Sequence, residues 1–141
     1  MTTHRTGRCL CDAVSYTASI EQPHTGACHC QMCRRWSGGP FMAIDAGTSV
    51  VWEGEDNIAT YRSSEWAERG FCKTCGSNLF YRLVQSGEVY LATGTLDDQD
   101  GIAFTSQVFI DEKPDFYSFA QQTRTMTGPE IFALYGATPE D

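Results

Sequence analysis

Short runs of alternating apolar and polar residues, punctuated by glycine and proline, recur along this chain. A period near two is the signature of strands with one buried face. Ala13-Val-Ser-Tyr-Thr-Ala18 alternates and predicts a strand. Pro40-Phe-Met-Ala-Ile-Asp45 and Ser49-Val-Val-Trp52 predict two more, divided by Ala46-Gly47, and Ile58-Ala-Thr-Tyr-Arg62 a fourth. Asn78-Leu-Phe-Tyr-Arg-Leu83 and Glu88-Val-Tyr-Leu-Ala92 flank the turn Gln85-Ser-Gly87, and Phe104-Thr-Ser-Gln-Val-Phe-Ile110 follows. Helical spacing is scarce. Residues 31–36 and Pro129-Glu-Ile-Phe-Ala-Leu-Tyr135 are the candidates, the second with proline at a first helical position. The tail Thr138-Pro-Glu-Asp141 is expected to fray. The predicted class is mainly β, in a meander or open-barrel arrangement with little helix.

Length and composition narrow the picture. The 141 residues form, most simply, a single domain over 1–141, with 41% hydrophobic residues and 8 Phe, 6 Tyr and 3 Trp to fill a core. The polar opening Met1-Thr-Thr-His-Arg-Thr-Gly7 leads into no apolar segment, so no secretory signal is expected. No apolar run approaches a membrane span. A cytoplasmic location, where thiols stay reduced, fits that reading. The formal charge is −8 with cysteines neutral, and seven thiolates with two Zn²⁺ would take it to about −11. Such a surface repels phosphate backbones, so nucleic acid is not an expected partner, and with no apolar span neither is a membrane.

Seven cysteines change the picture most. They stand as Cys9-Leu-Cys11, Cys28-His-Cys30-Gln-Met-Cys33 and Cys72-Lys-Thr-Cys75. Short C-x-C and C-x-x-C steps gather sulfurs locally, as a tetrahedral zinc site requires. The odd count prevents disulfides from pairing them all. Cys72-Lys-Thr-Cys75-Gly76 has the form of a zinc knuckle, with glycine free to take a positive φ so that amides turn toward the sulfurs. On an extended strand Cys9 and Cys11 share a face, with Leu10 on the other, and would complete the knuckle's site as a structural metal. Cys28, Cys30 and Cys33 are then left as three ligands with a fourth position for water or a substrate sulfur. His29 is the obvious further donor, but an extended segment points it away from the metal, and it is read as a core or surface histidine. A thiol bound there would be deprotonated and ready to add to a small electrophilic carbonyl. Arg34-Arg35 either offsets the thiolate charge or is an exposed pair on a helical turn.

At this point the chain resembles a known family. Gly7-Arg-Cys-Leu-Cys11, Cys28-His-Cys-Gln-Met-Cys-Arg-Arg35 followed by Gly38-Gly-Pro40, Tyr61-Arg-Ser-Ser64, Phe71-Cys-Lys-Thr-Cys-Gly-Ser77 with Leu79, and Gly94-Thr-Leu-Asp-Asp98 stand in family order. The chain is similar, from about Gly7 to Lys113, to the glutathione-dependent formaldehyde-activating family, which includes centromere protein V-like members. The resemblance implies a β-tent fold and a structural zinc on Cys9, Cys11, Cys72 and Cys75. It implies a second, labile zinc on Cys28, Cys30 and Cys33, where glutathione's thiol binds. It implies a carbon–sulfur lyase that makes or cleaves S-(hydroxymethyl)glutathione, with a small thiol and a small aldehyde as partners. Family members commonly carry glycine after the first C-x-C, where this chain has Asp12.

Other residues are read more plainly. Ser63-Ser64, Trp66 and Arg69 could line a pocket, but an exposed loop and one core aromatic explain them as well, and that reading is favoured. Asp97-Asp98 suits an Asx turn better than a ligand contact, and Trp36 and Trp52 suit core or pocket wall. Two other functions compete with the lyase: a non-catalytic glutathione carrier or zinc-stabilised binding module, and a methionine sulfoxide reductase-like enzyme. The last needs a free catalytic cysteine, which seven metal ligands would not leave.

Overall fold

The structure, a computed structural model, describes residues 3–135. The strands are β1 (Thr3–Arg8), β2 (Ser15–Ile20), β3 (His24–Cys28), β4 (Phe41–Asp45), β5 (Val51–Glu53), β6 (Ile58–Arg62), β7 (Ala67–Cys72), β8 (Asn78–Leu83), β9 (Val89–Ala92), β10 (Ala103–Val108) and β11 (Arg124–Met126). Two helices complete the described elements, α1 (Gln31–Ser37) and α2 (Gly128–Tyr135). A three-stranded sheet has the order β1-β2-β5, and an eight-stranded sheet the order β11-β10-β3-β4-β9-β8-β7-β6. The expected mainly β class holds. Not all neighbours are antiparallel, because β10 runs parallel to both β3 and β11. The tail expected to fray lies outside the described residues.

Burial explains the phase of the strands. In β2, Tyr16, Ala18 and Ile20 face inward while Ser15, Thr17 and Ser19 do not. The predicted strand at 13–18 has this phase but begins too early, because Val14 is held by the first cysteine loop, where Cys9 N donates to Val14 O at 3.0 Å. Between the sheets Tyr16, Ile20, Ile44, Leu79, Phe80 and Leu91 are all at most 2% exposed. Each such large apolar side chain contributes about 1.5–3 kcal/mol of burial. Trp52 packs on this core against Tyr16 and Phe80, with both centroid distances 5.2 Å.

Strands β1, β3, β7 and β11 carry no clear alternation of apolar and polar residues, so the pattern along the chain does not predict them. Gly70 and Arg69 occupy buried positions of β7, and a Cβ on Gly70 would meet the Phe80 ring at 2.2 Å. Glycine there lets β7 lie close over the core. The strand predicted at 104–110 ends at Val108, because Phe109 turns to φ 55 and a 3₁₀ turn over Ile110–Glu112 follows.

Candidate metal and thiol site

Four sulfurs gather where the loop after β1 meets the loop after β7. Cys9, Cys11, Cys72 and Cys75 place their sulfur atoms within 4.8 Å of one another. Cys9–Cys11 and Cys11–Cys72 are each separated by 3.7 Å. A tetrahedral ion with Zn–S bonds of about 2.3 Å needs sulfurs about 3.8 Å apart, so this donor set fits zinc. The amides of Val14 and Cys75 donate to Cys9 and Cys72 at 3.4 and 3.5 Å, and Asn57 Nδ2 donates to Cys72 at 3.3 Å. A hydrogen bond from Ser77 holds the Cys75 thiol down at about 5. Gly76 takes φ 76, as the knuckle requires.

Cys9 and Cys11 correct the expectation of a shared strand face. Strand β1 stops at Arg8, and a turn follows in which Asp12 N donates to Cys9 O at 3.2 Å. Asp12 adopts φ 71 there, the left-handed conformation that favours glycine. The turn still brings both sulfurs to one point and leaves Leu10 87% exposed.

The other three sulfurs meet at the junction of β3 and α1. Cys28 ends the strand, Cys30 caps the helix, and Cys33 lies in its first turn. The Cys33 amide donates to Cys30 Sγ at 3.3 Å, and the three sulfurs lie within 4.8 Å of one another. Cys30 and Cys33 are buried and Cys28 half-buried. Hydrogen bonds from the Cys28 and Cys33 thiols hold Cys30 down at about 2, and the contact with Cys30 pushes Cys28 up. His29 faces the other way. It is fully buried, with Nδ1 2.8 Å from the Tyr117 hydroxyl and Nε2 2.8 Å from Gln107 Oε1. Gln107 Nε2 donates onward to Thr123, which leaves Gln107 Oε1 to accept from His29 and Tyr117 to donate to it. Burial lowers the His29 pKa and keeps the ring neutral. With both nitrogens used, His29 is a core histidine, as its position between Cys28 and Cys30 suggests.

A cation does touch this cluster, though it is neither of the arginines next to it in sequence. Arg34 Nε donates to the His29 carbonyl at 2.9 Å, and Arg35 is exposed. Arg69, from the middle of β7, places Nη1 3.4 Å from Cys33 Sγ. It is 3% exposed and lies between the Trp36 and Tyr81 rings, 5.2 and 5.1 Å from their centroids. Burial opposes its charge, but the Cys33 and Cys30 sulfurs more than offset that and raise its pKa. The loop reading favoured for Arg69 is therefore corrected. Three thiolates in one place need a counter-charge, and that need was the available signal.

A cavity of about 770 Å³ opens in front of the three sulfurs. Arg69, Tyr81 and Phe109 line it near the cysteines, and Trp66, Phe132 and Tyr135 line it near α2. Ser63 and Ser64 are not among its lining residues, and Ser64 Oγ accepts from Trp66 N in a local turn at 3.4 Å. Asp98 forms the expected Asx turn by accepting from Asp100 N at 2.9 Å, and Asp97 accepts from Thr6 at 2.8 Å. Trp36 lies against Phe41 and Arg69 behind the cysteines. None of the four cysteines of the first cluster lines the cavity.

The fold and its sulfur clusters define a mainly β protein with two cysteine centres, each able to hold a metal ion. Residues 4–112 match the sequence model of the glutathione-dependent formaldehyde-activating enzyme family, and the chain belongs to that family. An uncharacterised lyase of Schizosaccharomyces pombe is 39% identical over 126 residues, covering 89% of this chain and 92% of the relative. A Halomonas elongata protein named for glutathione-dependent formaldehyde activation is 33% identical over 84 residues, covering 52% of this chain and 53% of the relative. A solved structure of a Rhodobacter sphaeroides protein shares the fold with a TM-score of 0.58 at 23% identity, covering 65% of this chain and 87% of that one.

Proposed function

We propose that this chain is a zinc-dependent carbon–sulfur lyase of the glutathione-dependent formaldehyde-activating type. It acts as one domain over residues 1–141 in a reducing compartment such as the cytoplasm. Its substrates are a small thiol, with glutathione as co-substrate, and a small aldehyde. Cys9, Cys11, Cys72 and Cys75 hold a structural ion, and Cys28, Cys30 and Cys33 form the reacting centre. The observation that carries this reading is the contrast between the clusters. Four sulfurs saturate one site away from the cavity, while three sulfurs border a large cavity beside a buried cation.

When bound at the three-cysteine centre, Zn²⁺ supplies a Lewis acid that makes a thiolate available at neutral pH. The chain's own groups do the rest. Cys28, Cys30 and Cys33 fix the centre in the wall of the cavity. Three thiolates and one divalent ion leave a net negative charge, and the Arg69 guanidinium balances it in a place where water is largely excluded. In synthesis the thiolate sulfur adds to the aldehyde carbon, a C–S bond forms, and the carbonyl oxygen takes the electron pair and then the proton that the thiol lost. Cleavage reverses each step. The cavity walls orient the two partners and limit competing water.

Two-dimensional exchange NMR between formaldehyde and glutathione tests this reading. Catalytic amounts of wild type are expected to speed exchange, and Cys33→Ser to return it to the rate in buffer. Equal rates with wild type, Cys33→Ser and buffer would remove the formaldehyde-activating assignment. Glutathione binding without acceleration would favour a carrier.

A further inference from the structure

We propose that the aldehyde half of the adduct carries an apolar, flat substituent larger than the hydrogens of formaldehyde, and that an aromatic wall selects it. This rests on the lyase reading above and names its substrate class. Four rings form a continuous path from the sulfurs to α2. Phe109 packs on the cluster formed by Cys30, Cys33 and Phe41. Its ring meets Phe132 edge to face at 5.7 Å. Phe132 stacks on Trp66 at 5.5 Å and 21°, and Trp66 meets Tyr135 edge to face at 6.0 Å. All four line the same cavity as Cys28, Cys30 and Cys33.

Three observations turn this path toward a ligand. The first is size. A cavity of about 770 Å³ lies toward the upper end of the range of about 300–1,000 Å³ that buries a drug-sized ligand, so it can take the thiol partner and a substituent beyond the single carbon and oxygen that formaldehyde adds. The second is backbone strain. Phe109 is held at φ 55, ψ 42, a conformation a bulky side chain rarely takes, and that bend places its ring between the sulfurs and α2. The third is origin. Phe132 and Tyr135 lie beyond residue 112, where the family match ends. The wall is therefore built partly by a segment outside the residues that define the family. A substituent on the carbon bonded to sulfur would extend along the rings, where apolar and aromatic contact is favourable. The bond made and broken is the same C–S bond, with the substituent in place of one hydrogen.

Calorimetric titration of the zinc-loaded protein with glutathione, S-methylglutathione and S-benzylglutathione tests the proposal. The benzyl conjugate is expected to bind at least about tenfold tighter than the methyl conjugate. In Phe132→Ala the ratio should fall to about threefold or less, and in Phe132→Leu, which keeps an apolar side chain on α2, to an intermediate value. Conjugates that bind within threefold of each other in wild type, or a ratio untouched by both variants, would overturn the aromatic wall as a selector. Binding of neither conjugate also overturns it. The glutathione titration in the same series judges the lyase reading separately. Glutathione binding leaves that reading standing, and its absence removes both.

Discussion

Arg69 shows what a single residue contributes that its neighbours in sequence cannot. A guanidinium stacked between two rings and touching a cluster sulfur is held in position by the protein's own groups. Replacing it should act on the three-cysteine ion alone. Arg69→Met is expected to weaken binding of the second zinc equivalent by about 10–100-fold, the usual cost of removing a group that orients a metal ligand. The first equivalent should keep its affinity. Competition with a chromogenic chelator measures both, and an unchanged second equivalent would refute the role. Asp12 makes a different case. Its φ of 71 is strained for any residue with a Cβ, at a cost of about 1–2 kcal/mol. Glycine loses more chain entropy on folding, about 0.5–1 kcal/mol, and the ion pair with Arg8 at 3.5 Å is exposed and worth little. Asp12→Gly should therefore raise stability by up to about 1 kcal/mol and Asp12→Ala should not, as denaturant melts of the zinc-loaded forms would show. The cysteines were legible in the sequence because their grouping is local. Arg69 was not, because its contact with Cys33 spans 36 positions.

At the scale of elements, β7 connects the two centres. Its middle residue touches the three-cysteine cluster and its last residue belongs to the four-cysteine cluster. The strand was invisible to hydrophobic patterning because what it buries includes an arginine and a glycine. Strands β6 and β8, which alternate or carry large apolar residues, were legible within their observed bounds. Helix α2 was legible too, and a capping box holds its start. Thr127 N donates to Glu130 Oε1 at 2.8 Å, and Glu130 N donates to Thr127 Oγ1 at 3.2 Å. Thr127→Ala should cost about 1 kcal/mol and expose Trp66, which stacks on Phe132 of this helix. The Thr127 amide also holds the Glu130 carboxyl below its usual 4.5. The cap's ionic contribution is therefore complete above that value and is lost as pH falls through the lower folded one. Trp66 fluorescence should show this acid limb in wild type but not in Glu130→Gln, and identical curves would contradict it.

For the whole molecule, chain entropy separates the two proposed metals. Cys11 and Cys72 stand 61 positions apart. A cross-link closing a loop of that length stabilises by about 4 kcal/mol, a large share of the roughly 5–15 kcal/mol typical of a folded domain. Cys28, Cys30 and Cys33 close only a short local loop, so an ion there adds little to folding and is free to serve chemistry. Sequence spacing suggested this division, whereas the parallel pairings of β10 and the aromatic wall depend on long-range packing and emerged only with the fold. Counting zinc by native mass spectrometry, with thermal melts of the same samples, tests the division most directly. Wild type should carry two ions, and Cys33→Ser should carry one and melt near wild type. Cys72→Ser should lose the structural ion and melt far lower. One ion on wild type, or two retained on a Cys33→Ser chain, would contradict the account.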